Sequence, residues 1–182
     1  MPRATSRTFD MAYSLEQRTP DRIDDLYDIV LACGEDMYRR LGLDHWHPPT
    51  PKDIFRNYAK LNRVYAVLDN GAAVATFTLT DQPPEPYPAE RWTSAQHSAL
   101  YLIKLAVHPL CQGKGLGRWC MERIENIACQ ENYDALRFDA LTRNAPLLGF
   151  YEHLGYRRAG DMRVKDEIDR EWDIVLYEKV LA

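Results

Sequence analysis

Cysteine is scarce. Its four copies, Cys33, Cys111, Cys120 and Cys129, include no C-x-x-C pair and no histidine at zinc-finger spacing. That spacing supports neither a metal site nor a disulfide framework, so the thiols read as small core hydrophobes in a reducing compartment. An excess of basic charge is also missing: the formal net charge is −4. A general nucleic-acid binder would carry a basic face and a high pI, so nucleic acid is excluded as a partner. No apolar run approaches the ~20 residues needed to cross a bilayer. Arg3 and Arg7 are not followed by an apolar signal segment either, and the expectation is a cytoplasmic protein without a membrane partner.

The hydrophobic content is ample. Apolar residues make up 46% of the 182 and charged residues 27%, which suits a folded globular chain rather than a disordered one. The length suits one domain over 1–182, with residues 1–8 a flexible lead-in. Charge is unevenly spread. Between Glu90 and Glu122 there is no acidic residue, while Arg91, Lys104, Lys114 and Arg118 all fall there. A basic island in an acidic chain suggests a small polyanionic ligand.

Along the chain, Phe9 to Leu15 reads as a strand and Thr19-Pro20-Asp21 as a helix-start signal. Ile23, Leu26, Tyr27, Val30, Cys33, Met37 and Leu41 then recur at steps of three and four, one face of an amphipathic helix that Gly42 ends. The prolines of His45-Trp46-His47-Pro48-Pro49 forbid its continuation. A second helix fits Lys52 to Leu61. Asn70-Gly71, between Val64–Leu68 and Ala73–Thr80, marks a hairpin. A proline-broken loop over 83–88 is long enough to suggest a functional excursion. Ala99 to Val107 is nearly continuously apolar, as a strand covered on both faces should be. A glycine-rich turn, a helix, the strand Ala135–Leu141 and a helix N-capped by Asn144 follow. That helix ends at Gly155, and two further strands surround Met162–Val164 and Ile174–Tyr177. The order β-α-α-β-β-β-α-β-α-β-β implies an α/β fold with a mixed sheet carrying helices on its faces.

The turn Gln112-Gly113-Lys114-Gly115-Leu116-Gly117 joins a buried strand to a helix. Free amides and the helix dipole converge there, and glycines let a phosphate approach the backbone. The competing reading is a plain glycine turn. Two phosphate motifs fail by spacing. A Walker A lysine needs Ser or Thr after it, whereas Lys114 precedes Gly115. A Rossmann fingerprint needs a glycine at position 118, which is Arg118, although Asp139 lies at a distance suited to a ribose contact.

The segment Val107 to Gly117 instead resembles the pyrophosphate-binding motif of the GNAT superfamily of N-acetyltransferases, Gln/Arg-x-x-Gly-x-Gly/Ala, with Gln112, Gly115 and Gly117 in the motif positions. Downstream, Asn144 to Tyr156 is similar to the family's Asn-x(6)-Tyr-x-x-x-Gly-aromatic segment, with Tyr151 as its tyrosine. The two motifs together are specific; residues 1–97 carry none.

The resemblance implies a mixed, mostly antiparallel sheet with about four helices. The sheet splays beside the 100–107 strand to form the cleft for acetyl-CoA, the co-substrate. It implies that backbone groups of Leu105, Ala106 and Val107 pair with the pantetheine and that the pyrophosphate sits on the amides of Gln112, Gly113, Lys114, Gly115, Leu116 and Gly117. Lys114 and Arg118 would lie near the phosphates, Asn144 would contact CoA, and Tyr151 would be the general acid facing the sulfur. No metal is implied. The acceptor is an amine, more in keeping with a small molecule than a protein lysine, and a homodimer is compatible.

Each assignment has a plainer competitor. Tyr151 shares a helical face with Leu147 and Leu154, the spacing of a core tyrosine; Asn144 is already explained as an N-cap. Cations at a helix N-terminus are unfavourable by ~0.3–1 kcal/mol, so Lys114 and Arg118 ask for an anion. His108 and Cys111 lack the third group a nucleophilic pair needs. For the acceptor, Trp46, His47 and Glu85 are the candidate contacts, an aromatic ring beside carboxylates being able to hold a cationic amine. The base is open among Glu85, Glu90, Asp139 and His47. A CoA-binding module without catalysis and an interaction domain with a vestigial loop are the competing classes.

Overall fold

The computed structural model describes residues 13–83, 87–166 and 168–181. The lead-in over 1–8, the first residues of the Phe9–Leu15 strand and Glu85 lie outside these. Among the described residues the order is β1 (Tyr13–Arg18), α1 (Asp24–Leu41), α2 (Lys52–Leu61), β2 (Arg63–Asp69), β3 (Ala72–Thr80), β4 (Ala99–Val107), α3 (Leu116–Gln130), β5 (Ala135–Leu141), α4 (Ala145–His153), β6 (Arg157–Lys165) and β7 (Glu171–Val180). The expected sequence of elements is recovered. The chief shift is at α1. Thr19–Arg22 closes a turn, with Arg22 N–H donating to the Thr19 carbonyl at 2.9 Å, and the helix starts only after buried Ile23. Asp24 and Asp25 then supply the acidic first turn that the helix dipole favours.

The strands form one sheet in the order β1-β2-β3-β4-β5-β7-β6. All pairs are antiparallel except β4 with β5. The β2–β3 turn places Asn70 at φ 49° and Gly71 at φ 85°, the positive-φ pair that a tight hairpin requires. One face of the sheet is covered by α3 and α4, whose Leu116, Cys120, Met121, Ile124 and Tyr151 pack with Leu102, Phe138 and Tyr177. The other carries α1 and α2, with Leu26, Ile29, Val30, Cys33 and Phe55 on Val64, Ala66 and Ala106. Complete burial of each large aliphatic group contributes about 1.5–3 kcal/mol, so the periodic apolar face of α1 is what holds it to the sheet.

The sheet is split at β4–β5, the only parallel junction among the described residues. The β4–β5 ladder runs from Ala99/Ala135 to Leu102/Phe138 and stops. On either side pairing continues, β3–β4 out to Val107 and β5–β7 out to Leu141. The split begins where Ile103 is unopposed in the β3–β4 register, between Leu102 paired with Leu79 and Lys104 paired with Thr78. Such a bulge bends a strand and raises its twist, turning the second half of β4 away from β5. Burial follows: Ala99 to Leu102 are buried, whereas Ile103, Lys104, Leu105 and Val107 are partly open.

The chain that follows the proline-broken segment is anchored from inside. Buried Glu178 accepts from Arg137 at 3.1 Å, from Arg157 at 2.8 Å and from the Thr93 amide at 2.8 Å. Although burial opposes ionisation, these donors hold the Glu178 carboxyl down to about 2. Trp92 lies against the Arg137 guanidinium at 4.7 Å, so the segment around Trp92 and Thr93 is tied to the core.

Candidate active site

The second half of β4 offers one edge to the gap. The His108 amide donates to the Val74 carbonyl at 2.9 Å, and backbone groups alternate in direction along a strand. Leu105 and Val107 therefore turn their N–H and C=O away from β3 into the gap, while Ala106 turns its own toward β3. The expectation for Ala106 is corrected on this ground: its backbone belongs to the sheet. The Val107 carbonyl has internal donors, Gln112 Nε2 at 2.9 Å and the Cys33 thiol at 3.1 Å. Burial pushes that thiol up to about 12, so it stays protonated and able to donate. The Leu105 N–H and C=O and the Val107 N–H are the groups this edge offers a ligand.

The glycine turn stands at the mouth of the gap. Pro109–Cys111 forms a single 3-10 turn, which proline spacing alone does not reveal. Gly113 and Gly115 follow with φ of 73° and 86°, a region costly for residues with a Cβ. This reverses the chain so that α3 starts at Leu116, with its first amides aimed outward. Gln112, Gly113, Lys114, Gly115 and Arg118 are exposed, Gly117 is partly so, and the Leu116 side chain is buried in the core. Lys114 Nζ folds back on the Leu110 carbonyl at 2.9 Å, and a Cβ on Gly117 would come 3.4 Å from the Phe150 ring. Gln112 ties this turn to the β4 edge, a role that the motif alone does not predict. His108 Nδ1 accepts from the Leu110 amide at 3.3 Å, so its ring helps shape the turn.

Tyr151 lies at the point where the sheet divides. Asn144 accepts from the Leu147 amide at 3.3 Å and starts α4, which presents Tyr151 to Phe138, the last β5 residue paired with β4. The two ring centroids are 4.5 Å apart, with Phe150 at 5.3 Å and Tyr177 at 5.7 Å. Tyr151 is thus both a core tyrosine, 5% exposed, and a neighbour of the gap. Burial first, and then the Asp139 charge, pushes its phenol above the ordinary range, so it is protonated at neutral pH.

Because side chains alternate along a strand, Asp139 faces the side opposite Phe138. There it lines a cavity of about 300 Å³. The two sheet edges form its floor, with Ile103 and Lys104 on β4 and Asp139 and Leu141 on β5. One wall is the α1–α2 connection, with His45, Trp46 and Thr50, and the other is the β6–β7 hairpin, with Val164, Asp166 and Trp172. Arg170 straps the walls together. Its guanidinium reaches Asp166 at 2.7 Å, the His45 carbonyl at 2.9 Å and the Pro48 carbonyl at 3.4 Å, while lying on Trp172. Tyr87, brought by the proline-broken loop, donates to Asp139 at 2.5 Å.

Of the acceptor candidates, Trp46 lines this cavity. His47 does not: its ring stacks on Tyr38 at 4.3 Å beside Glu35, because the chain turns outward after Trp46. Its neighbour His45 lines the cavity instead. Burial, reinforced by Lys104, lowers the His45 imidazole to about 4, so it is neutral at pH 7. Its buried Nδ1 has no partner among the described residues. Glu90 sits in a short 3-10 turn and is not among the residues that line the cavity. Sequence reasoning missed Trp172, which lines the cavity, and Tyr87 and Arg170, which bond to residues that line it; all three lie in chain segments that carry no local motif.

No curated protein matches the chain in sequence. Solved structures match its fold closely. An acetyltransferase of the GNAT family from Listeria monocytogenes superposes with a TM-score of 0.71 at 17% identity, over 93% of this chain and 95% of that one. The ribosomal-protein-S18-alanine N-acetyltransferase of Escherichia coli gives 0.67 at 17%, over 93% and 94%. The yncA protein of Salmonella typhimurium, solved with its cofactor acetyl-CoA, gives 0.64 at 16%, over 94% and 95%. The family model described as acetyltransferase (GNAT) family matches residues 23–156, most of the chain and both motif segments. A split mixed sheet with a glycine turn at its mouth and a tyrosine at its root is accordingly what it should be: the chain belongs to the GNAT family of acetyltransferases.

Proposed function

We propose that the chain transfers an acetyl group from acetyl-CoA to a small primary amine by direct attack within a ternary complex. The observation that carries this reading is the interrupted β4–β5 ladder, which leaves extended backbone open where both neighbouring ladders run on. Acetyl-CoA supplies the activated acyl group as a thioester. An extended pantetheine fits the edge as a strand does, taking hydrogen bonds from Leu105 and Val107. The first amides of α3, with Lys114 and Arg118, suit the pyrophosphate. Asn144, as the cap of α4, contributes by orienting Tyr151.

The two faces of the gap divide the chemistry. The amine comes from the cavity side, where Asp139, held by Tyr87, attracts the ammonium and accepts its proton on the way to solvent. The nitrogen then bonds to the acetyl carbon as the carbon–sulfur bond breaks. Tyr151, on the other face, gives its phenolic proton to the departing sulfur, and the surplus proton on the new amide nitrogen restores the phenol. A volume of about 300 Å³ between two strapped loops suits a small molecule better than the side chain of a folded protein.

The test is thiol release from acetyl-CoA across a panel of small amines and lysine-containing peptides. Amine-dependent release with at least one small amine, faster than with any peptide, is the expected result. CoA binding without release in any pairing would make the chain a binding module and overturn the assignment.

A further inference from the structure

The charged residues that line the acceptor cavity all have protein partners. Asp166 accepts from Arg170 at 2.7 Å and from Trp172 Nε1 at 3.0 Å, and Lys165 pairs with Asp169 at 2.8 Å. On the floor, Asp139 accepts from Tyr87 at 2.5 Å, and the Lys104 ammonium stands 5.4 Å from the Trp46 ring and 5.7 Å from that of Phe55. The His45 imidazole is neutral at pH 7, because burial and then Lys104 oppose its charged form. A ligand that brings a further charge beside its amine gives up water here without an uncommitted counter-charge to meet, which costs affinity.

The apolar lining is what the cavity leaves open. Trp46, Ile103, Val164 and Trp172 reach it from four segments of the chain, and each is only partly buried. The walls are backed by different parts of the core: Trp46 packs on the cluster that holds Phe55, Val164 and Trp172 on the one that holds Ile174 and Tyr101. Lys104 lies over one tryptophan ring and Arg170 over the other, at 5.2 Å, yet both rings still show surface to the cavity. The His45 ring adjoins both, with centroids 5.4 Å from Trp46 and 6.1 Å from Trp172. Since Arg170 ties the two walls together, this aromatic surface is in place before a ligand arrives, and little ordering cost falls on binding.

Resting on the acetyltransferase reading, we propose that the acceptor is a primary amine on an apolar aromatic body with no second charged group. The body docks on Trp46 and Trp172, and the amine points to the β4–β5 gap. Aromatic rings gain from ring-edge and ring-face contacts beyond the area they bury, which favours an aryl over an alkyl body in this setting. A cavity of about 300 Å³ with partly open tryptophans on both walls is the setting in which small apolar ligands bind.

The test compares phenethylamine with butylamine, putrescine and phenylalanine, with kcat/KM expressed per neutral amine because the four differ in basicity. Burial of the ring should favour phenethylamine over butylamine by about thirtyfold or more. Its advantage over putrescine, which adds a cation, and over phenylalanine, which adds a carboxylate, should be about tenfold or more. At least one of Trp46→Leu and Trp172→Leu should cut the phenethylamine-to-butylamine ratio by about threefold or more. The melting shift that CoA alone produces should persist in both variants, which separates a lost ring contact from a lost fold. Equal use of butylamine, better use of putrescine or phenylalanine, or a ratio that neither variant lowers overturns the proposal. So does a CoA complex that phenethylamine neither turns over nor stabilises. If acetyl-CoA itself fails to bind, the acetyltransferase reading falls first, and the melt without acceptor tells the two failures apart.

Discussion

Tyr151 carries two readings that a single substitution separates. Its burial among Phe138, Phe150 and Tyr177 gives it a packing role, and the elevated phenol pKa keeps its proton available at neutral pH. Positioned proton transfer contributes ~10²–10⁴-fold. Tyr151→Phe keeps the ring, so kcat should fall by about that factor while the KM for acetyl-CoA stays within a few-fold, as steady-state kinetics can measure. A core tyrosine would behave in reverse, losing some thermal stability at near-normal turnover. Single-turnover kinetics remove any masking by product release: a chemical step at full speed in the variant takes Tyr151 out of the mechanism. Gln112 illustrates a different point at this scale. As a motif residue it was legible from spacing, but its bond to the Val107 carbonyl depends on how β4 and the turn meet in three dimensions.

Among the elements, α1 positions one wall of the cavity proposed for the acceptor. Gly34, in the middle of α1, is buried, and a Cβ there would meet the carbonyl oxygen and Cβ of Trp46. Glycine to alanine inside a helix ordinarily gains up to ~1 kcal/mol, but forcing atoms into a packed contact costs typically ~1–3 kcal/mol. Overpacking wins. Gly34→Ala should lower the melting temperature and raise the acceptor KM several-fold, leaving acetyl-CoA affinity unchanged; a gain in stability with an unaltered KM contradicts this account of the wall. The elements themselves were largely legible. Lys52–Leu61 and the Asn70-Gly71 hairpin were read correctly because periodicity and turn chemistry are local properties. The β4–β5 split was not readable from residues: Ile103 to Val107 look as strand-like as Ala99 to Leu102, and a missing ladder leaves no mark in composition. Its expectation came from the family resemblance. The walls of the cavity were equally hidden, since Arg170 meets His45 across 125 positions of sequence. For the same reason His47 was expected where His45 stands, because alternation within a proline-bent loop follows no fixed period.

At the scale of the molecule, the sheet holds together at one end and opens at the other, and the proposed CoA site lies where the β4–β5 hydrogen bonds stop. Strands β4 and β5 stay paired from Ala99/Ala135 to Leu102/Phe138, and the open half beyond is the region a bound CoA should complete. A ligand that binds only the folded state adds about 2.7 kcal/mol at a hundredfold excess over its dissociation constant. For a chain of this size that is roughly 5–10 °C in melting temperature. Gly117→Glu should abolish the effect, because the new side chain enters the glycine turn beside Phe150 and brings a negative charge to where the proposed pyrophosphate would lie. The most direct measurement is therefore the thermal melt of both proteins with and without CoA. The account expects a rise of several degrees for the wild type and none for Gly117→Glu, with similar melting of the two in the absence of ligand. An unmoved wild-type melt at millimolar CoA, or an equal rise in Gly117→Glu, would contradict the claim that the β4–β5 gap and its glycine turn form the CoA site.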